Sequence, residues 1–207
     1  MTGKFIVIEG LDGTGKTTQI ALVAERLRAE GYHVHVTAEP TKAAVGRHIR
    51  EVLGGRAQAS PWELACLFLA DRIGHNNDPA DGLQKHLADG DIILCDRYYY
   101  STFAYQGTDT DLDWAMQAHF NCPEVAKPDL CIFLTMSPEA CLERIHAGRD
   151  AAALEIFENT ASLTRIGKRF ADVFAKLRAR ENVVQLDAAG TIPEVTEKIL
   201  CAIRTVL

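Results

Sequence analysis

The sequence predicts an α/β fold: one domain over residues 1–207, with a five-stranded, largely parallel sheet and helices on both faces. Three observations carry this reading. Short apolar runs alternate with segments of helical period along the whole chain. Runs such as Asp91-Ile92-Ile93-Leu94-Cys95-Asp96 and Asp129-Leu130-Cys131-Ile132-Phe133-Leu134 are continuously apolar, as strands covered on both faces must be. Finally, Gly10-Leu11-Asp12-Gly13-Thr14-Gly15-Lys16-Thr17 fits the phosphate-loop pattern G-x-x-x-x-G-K-[ST] without a mismatch.

The residue types of that loop follow from its chemistry. Successive backbone N–H groups must turn inward around an anion, and Cβ atoms hinder such a turn, so glycines recur. Lys16 is placed to reach the β- and γ-phosphates of a nucleotide, and the Thr17 hydroxyl to ligate Mg²⁺. Lys4 to Glu9 reads as a buried strand, and Ile20, Val23, Ala24 and Leu27 recur at helical spacing after the loop. Strand, loop and helix are the setting the motif requires, because the helix N-terminus adds its positive dipole end.

The remaining elements follow in order. The first helix ends near Glu30-Gly31, and His33 to Thr37 alternates as a strand closed by Glu39-Pro40. Two histidines on one strand face, His33 and His35, more often meet solvent or a neighbour than a metal. Gly46 to Leu53 reads as a helix broken by Gly54-Gly55. Ser60-Pro61-Trp62-Glu63 combines an N-cap, a first-turn proline and a capping-box glutamate. On the helix it opens, Phe68 and Arg72 share a face, which suits a planar, carbonyl-bearing ring, although a core phenylalanine beside a surface arginine has the same spacing. Leu83 and Leu87 mark another helix ended by Gly90, before the apolar run that closes on Asp96. An apolar strand ending in an acid is the Walker B arrangement, whose carboxylate emerges near Mg²⁺.

Arg97 follows at once, beside an aromatic-rich stretch from Tyr98 to Tyr105. Ser137-Pro138-Glu139 opens a helix to about His146, and Gly148-Arg149-Asp150 interrupts it. Leu163, Ile166, Phe170, Val173, Phe174 and Leu177 mark a long amphipathic helix. Asn182 to Asp187 is the last strand, and Val195, Ile199, Ala202 and Val206 mark the closing helix.

Composition excludes several classes. The formal charge of −6 argues against nonspecific nucleic-acid binding, which shows as a basic excess. No apolar run approaches the roughly 18 residues of a membrane span, and Glu9 interrupts the N-terminal one. The six cysteines show no C-x-x-C pair, so reduced, mostly buried thiols in the cytoplasm are expected, with no zinc site among them.

With Asp96-Arg97-Tyr98 added to the phosphate loop, the chain resembles the thymidylate kinases, of the nucleoside monophosphate kinase group. The resemblance rests on IEGLDGTGKTTQ, Glu39-Pro40, the F-x-x-x-R of Phe68 to Arg72, DRYYYST-x-AYQG from Asp96 to Gly107, KPDL at Lys127 to Leu130, and Leu186-Asp187-Ala188. It implies a homodimer that transfers phosphate from ATP to dTMP, with Mg²⁺, giving dTDP and ADP. Residues Gly10, Leu11, Asp12, Gly13, Thr14, Gly15, Lys16, Thr17 and Thr18 would hold the ATP phosphates, with Asp187 beside the adenine loop. Thr17 and Asp96 would hold the metal. Asp12 would orient the acceptor near its sugar, Phe68 would stack on thymine, and Arg72 would bond its carbonyl edge. Arg97 would grip the acceptor phosphate, while Glu39, Ser101, Tyr105 and Gln106 line the nucleoside pocket. Tyr105 would disfavour a 2′-hydroxyl by crowding.

The chain also departs from that family's pattern. Ala38 stands where many members have arginine, with Lys42 nearby as a partial replacement. Members place a catalytic arginine in the phosphate loop, where this chain has Gly13, or in a lid, here approximately residues 147–159. In that stretch Ile156 replaces a common arginine and leaves Arg149 as the catalytic candidate. Two alternatives therefore stand: a kinase for another pyrimidine nucleotide or deoxynucleoside, and a nucleotide-binding protein that has lost turnover.

Overall fold

The computed structural model describes residues 3–148 and 160–207. The strands β1 (Lys4–Gly10), β2 (Val34–Ala38), β3 (Ile92–Asp96), β4 (Leu130–Thr135) and β5 (Val183–Asp187) form one sheet in the order β2-β3-β1-β4-β5. Every pairing is parallel, as the continuously apolar runs require. The central β1 has β3 and β2 on one side and β4 and β5 on the other, so the chain order switches direction at β1. A crevice opens beyond its carboxyl end, where ligands of such sheets bind. Register then places the chemistry: Ile8 pairs with Asp96, and Gly10 with Leu134. The acid at the end of β3 thereby lies beside the start of the phosphate loop.

The helices are α1 (Lys16–Ala29), α2 (Ala44–Leu53), α3 (Pro61–Asn77), α4 (Leu83–Asp89), α5 (Tyr99–Asp109), α6 (Leu112–Phe120), α7 (Pro138–Gly148), α8 (Thr160–Leu177) and α9 (Ile192–Arg204). The two-residue period of the strands divides the core. Ile6, Ile8, Leu94 and Ile132 face Ile20, Val23 and Leu27 of α1 and Val195, Ile199 and Ile203 of α9. Phe5, Val7, Ile93, Cys95, Cys131 and Phe133 face α5 and α8 on the other side. The expected capping box forms at α3: Ser60 Oγ accepts from the Glu63 N–H, and Glu63 accepts from the Ser60 N–H.

The sequence reading assigns no element to the stretch from Tyr98 and expects mostly buried cysteines. The stretch from Tyr98, rich in residues that favour strands, is helical from Tyr99, and α6 follows it without a period strong enough to announce it. Burial overrides propensity here. Tyr99 and Phe103, one helical turn apart, stack with centroids 5.3 Å from each other, and both are buried in the core. The cysteines are free, but only Cys95, Cys131 and Cys141 are buried, whereas Cys66 and Cys201 are exposed. No described helix is long and apolar enough to cross a membrane.

Ile93 sits fully buried in the β3 segment that leads to Asp96. Ile93→Ala should cost about 2–5 kcal/mol of stability, read as a lowered urea midpoint at unchanged slope.

Candidate active site

The phosphate loop wraps the N-terminus of α1. Gly13 has φ +85° and Gly15 φ +90°, left-handed values that a side chain would strain. Gly13 is further constrained, because a Cβ there would lie 2.3 Å from the Cys141 carbonyl oxygen of α7. This loop therefore has no room for an arginine at position 13. Lys16 is buried, and its Nζ donates to the carbonyl oxygens of Gly10 and Leu11 at 3.0 and 2.9 Å. Burial, and then nearby Arg97, hold the Lys16 ammonium below its ordinary pKa, against the pull of Asp12 and Asp96. An anion in the loop would oppose both by favouring the charged ammonium.

Asp96 fits a cation. Its Oδ2 accepts from Thr17 Oγ1 at 2.9 Å, while its Oδ1 is buried and accepts no hydrogen bond from the described residues. An orphaned carboxylate oxygen beside a hydroxyl, at the mouth of an anion-binding loop, suits a hard divalent ion such as Mg²⁺.

Arg97 has a positive φ of 69°, unusual for a residue with a side chain. Its surroundings fix it: Nη2 donates to Asp12 Oδ1 at 2.5 Å, Nη1 donates to Ser101 Oγ at 2.9 Å, and the guanidinium lies 5.4 Å from the Tyr105 ring centroid. Behind it stands Glu9, fully buried at the end of β1. Glu9 accepts from the N–H groups of Tyr98 and Ser101 and from Ser101 Oγ. Burial raises the Glu9 pKa, opposed by Arg97 and these hydrogen bonds.

A cavity of about 800 Å³ lies over the loop, lined by residues 12–18, Asp96, Arg97, Arg144 and the start of α9 at Ile192. A smaller one of about 190 Å³ is lined by Phe68, Arg72, Tyr98, Ser101, Tyr105 and Gln106. Asp12, Glu39, Pro40, Arg50 and Arg97 line both, so the two cavities meet at these residues.

Arg72 is not the surface arginine that the core-phenylalanine reading supposes: it is 1% exposed. Its Nε and Nη2 donate to Glu39 Oε2 at 2.8 and 2.5 Å, and its Cζ lies 4.8 Å from the Tyr98 ring centroid. Its Nη1 meets His119 Nε2 at 2.5 Å. The His119 Nδ1–H donates to the Ala115 carbonyl at 2.8 Å, which leaves Nε2 as acceptor. Burial, followed by the adjacent Arg72 charge, pushes the His119 pKa down to about 3.

The expected residues thus divide. Asp12 to Thr18, Asp96 and Arg97 gather around one cavity, and Phe68, Arg72, Ser101, Tyr105 and Gln106 around the other. Gly10 and Leu11 lie behind the loop as acceptors for Lys16. Asp187 does not line the cavity; its neighbours Ala188 and Gly190 do, while its Oδ1 accepts from the Ala189 N–H. Lys42 lines neither cavity, whereas Arg50 lines both. Arg149 and Ile156 lie outside the described residues. Glu9, Arg50, His119 and Arg144 were missed, since no local pattern marks them.

Comparison with known proteins decides the family. The thymidylate kinase family model matches residues 8–199. The chain belongs to the thymidylate kinase family. It is 37% identical over 204 residues to a thymidylate kinase of Caldicellulosiruptor saccharolyticus, covering 96% of this chain and 95% of that one. It is 34% identical over 203 residues to a putative thymidylate kinase of Treponema pallidum, covering 97% and 94%. A thymidylate kinase of Pelotomaculum thermopropionicum is 41% identical over 160 residues, 75% of this chain and 73% of that one.

The His119 shift has a stability consequence. Folding keeps the imidazole neutral, so below the ordinary value of 6.5 the unfolded chain takes up a proton that the folded chain refuses. Its contribution is complete above that pH and is lost as pH falls toward about 3. The Tm of the parent chain should therefore fall more between pH 7 and pH 5 than that of His119→Gln.

Proposed function

We propose that this chain transfers the γ-phosphoryl group of ATP to dTMP, giving dTDP and ADP. The observation that carries this reading is the meeting of the two cavities at Arg97 and Asp12. A donor phosphate chain held by the loop and an acceptor held beyond Arg97 would present their reacting ends to one another across these side chains. Catalysis then consists of alignment and charge neutralisation, and no protein nucleophile is needed.

The roles follow from position. Backbone N–H groups of residues 13–18 cradle the donor phosphates, and the Lys16 ammonium turns from its carbonyl acceptors toward them. Thr17 and Asp96 hold Mg²⁺, which supplies charge neutralisation on the phosphate oxygens. Arg97, held by Asp12 and Ser101, grips the acceptor phosphate. Phe68 offers its ring to thymine, while Glu39, Thr102 and His119 hold the Arg72 guanidinium beside the base with one Nη1 N–H left for its carbonyl edge. Tyr105, near Asp12, crowds the 2′ position of the sugar.

Arg144 and Arg50 line the loop cavity and supply positive charge where the family pattern has arginine at positions occupied here by Gly13 and Ala38. Arg149 is our proposal for a further arginine acting from the lid, approximately residues 147–159, of the single domain. A cytoplasmic homodimer without nucleic-acid or membrane partners is proposed on the resemblance and the charge of −6.

ADP release with ATP and Mg²⁺ across dTMP, dUMP, UMP, CMP, AMP and thymidine tests this reading. A clear preference for dTMP is expected, and absence of turnover with every acceptor despite ATP binding would overturn it. Lys16→Ala should abolish turnover, and Arg97→Ala should lower kcat by on the order of a thousandfold. Arg149→Ala should lower kcat far more than ATP affinity; normal turnover would remove Arg149 from the mechanism.

A further inference from the structure

A second cluster of ligand-forming side chains lies away from both cavities, where the edge strand β2 meets α4. His35 of β2 and His86 of α4 stack with ring centroids 3.7 Å apart and planes 18° from parallel. His86 Nε2 lies 3.1 Å from Asp81 Oδ1, and His35 Nδ1 lies 3.8 Å from that same oxygen. The second nitrogen of His86, Nδ1, is 2.7 Å from Asp91 Oδ2. None of these residues lines the loop cavity or the smaller one beside it.

Hydrogen bonding alone leaves this cluster incomplete. His35 Nε2 is buried and has no partner among the described residues, a condition that costs on the order of 1–3 kcal/mol, while the nitrogen that faces Asp81 is the other one, Nδ1. Nitrogens of both rings approach one carboxylate oxygen, and one atom from each of His35, Asp81 and His86 can be chosen so that all lie within 4.8 Å of one another, although the stacked rings must turn apart before one ion can lie in both ring planes. His86 also carries the outer support usual for a metal-ligating imidazole, because its remote nitrogen is bonded to a carboxylate.

We propose that His35, Asp81 and His86 form a binding site for a borderline-soft divalent ion, Zn²⁺ above all. Two imidazoles and a carboxylate suit Zn²⁺ rather than Mg²⁺ or Ca²⁺, which prefer oxygen alone. About 3.3 Å between ligand atoms corresponds to a tetrahedral ion with bonds near 2.0 Å, and the His86–Asp81 spacing of 3.1 Å already approaches that value. His35 Nδ1 must close on Asp81 by about 0.5 Å to match it, and its ring must swing out of the stack on His86 so that the ion lies in both ring planes. Asp81, with a side chain 75% exposed, provides the entry path and leaves the remaining coordination position to water.

The ion would clip β2 to α4. β2 ends the sheet and pairs with β3, and the chain beyond it carries Glu39, the carboxylate that holds Arg72. The site is a structural tie on the strand that delivers Glu39.

The test is calorimetric titration of the full chain, stripped with EDTA and dialysed, with ZnCl₂ in excess Mg²⁺. One Zn²⁺ per chain is expected. Asp81→Asn and His86→Gln should each weaken binding at least tenfold, and Asp91→Asn by about 10–100-fold. The exposed thiols are controlled by the Cys66→Ser, Cys201→Ser double variant, which should bind Zn²⁺ as the parent does. Asp81→Asn alters an exposed side chain and keeps the fold testable; Zn²⁺ should raise the Tm of the parent chain and leave that of Asp81→Asn unchanged. Co²⁺ bound to the parent should show the visible bands of a low-coordinate nitrogen and oxygen site without thiolate charge transfer. Absence of stoichiometric Zn²⁺ uptake, or uptake that survives Asp81→Asn and His86→Gln, overturns the proposal.

Discussion

The active end of this molecule depends on one buried carboxylate. Glu9 closes the central strand with no exposure to solvent and gathers the first turn of α5 onto itself through two backbone N–H groups and the Ser101 hydroxyl. That anchorage forces the chain between β3 and α5 through a tight turn, in which Arg97 takes a left-handed backbone conformation. A strained arginine persists because its surroundings over-determine it: Asp12 and Ser101 hold its guanidinium, and Glu9 lies 4.0 Å from it. The carboxylate that organises the backbone thus also fixes the cation at the junction of the two cavities.

The second organising pair is Glu39 with Arg72. A guanidinium buried to 1% exposure would be prohibitively costly alone, and here it meets a carboxylate, a neutral imidazole and the Tyr98 ring. The same contacts, with Thr102 as a further acceptor, make the arginine rigid and leave one Nη1 N–H uncommitted in a fixed direction. His119 contributes by staying neutral: a protonated imidazole at that distance would repel Arg72 and expel it from the pocket. His75 supports the other Glu39 oxygen at 2.9 Å and also meets the Thr37 hydroxyl, which ties the pair back to β2.

Close packing around the phosphate loop decides where positive charge can come from. The Cys141 carbonyl presses against Gly13 so tightly that a Cβ has no place, and the cationic side chains over the loop come from elements distant in sequence. Arg144 reaches it from α7 and Arg50 from α2, where Arg50 is anchored on the carbonyls of Pro40, Thr41 and Gly46. Anchorage of this kind lets Arg50 stand at the edge of both cavities, whereas Lys42, nearer in sequence to Ala38, lines an adjoining cleft with Ala38, Thr17 and Asp96.

The sequence by itself determined the phosphate loop, the parallel sheet and the shared face of Phe68 and Arg72, because each is written in contiguous residues or in a short period. Eight consecutive positions carry the whole backbone cradle of the loop, and continuous apolar runs can be satisfied only by strands covered on both faces. The helix from Tyr99 escaped that reading because its aromatic residues favour strands locally and become helical only when α8 and the sheet bury them. Tertiary structure alone decided the partners of Arg97 and Arg72. Glu9 and Ser101 meet across 92 positions, and Arg72 and His119 across 47, distances over which neither spacing nor propensity carries information. His35 likewise found its neighbour in His86 rather than in His33, because strand pairing and helix packing, not sequence spacing, set which imidazoles face each other.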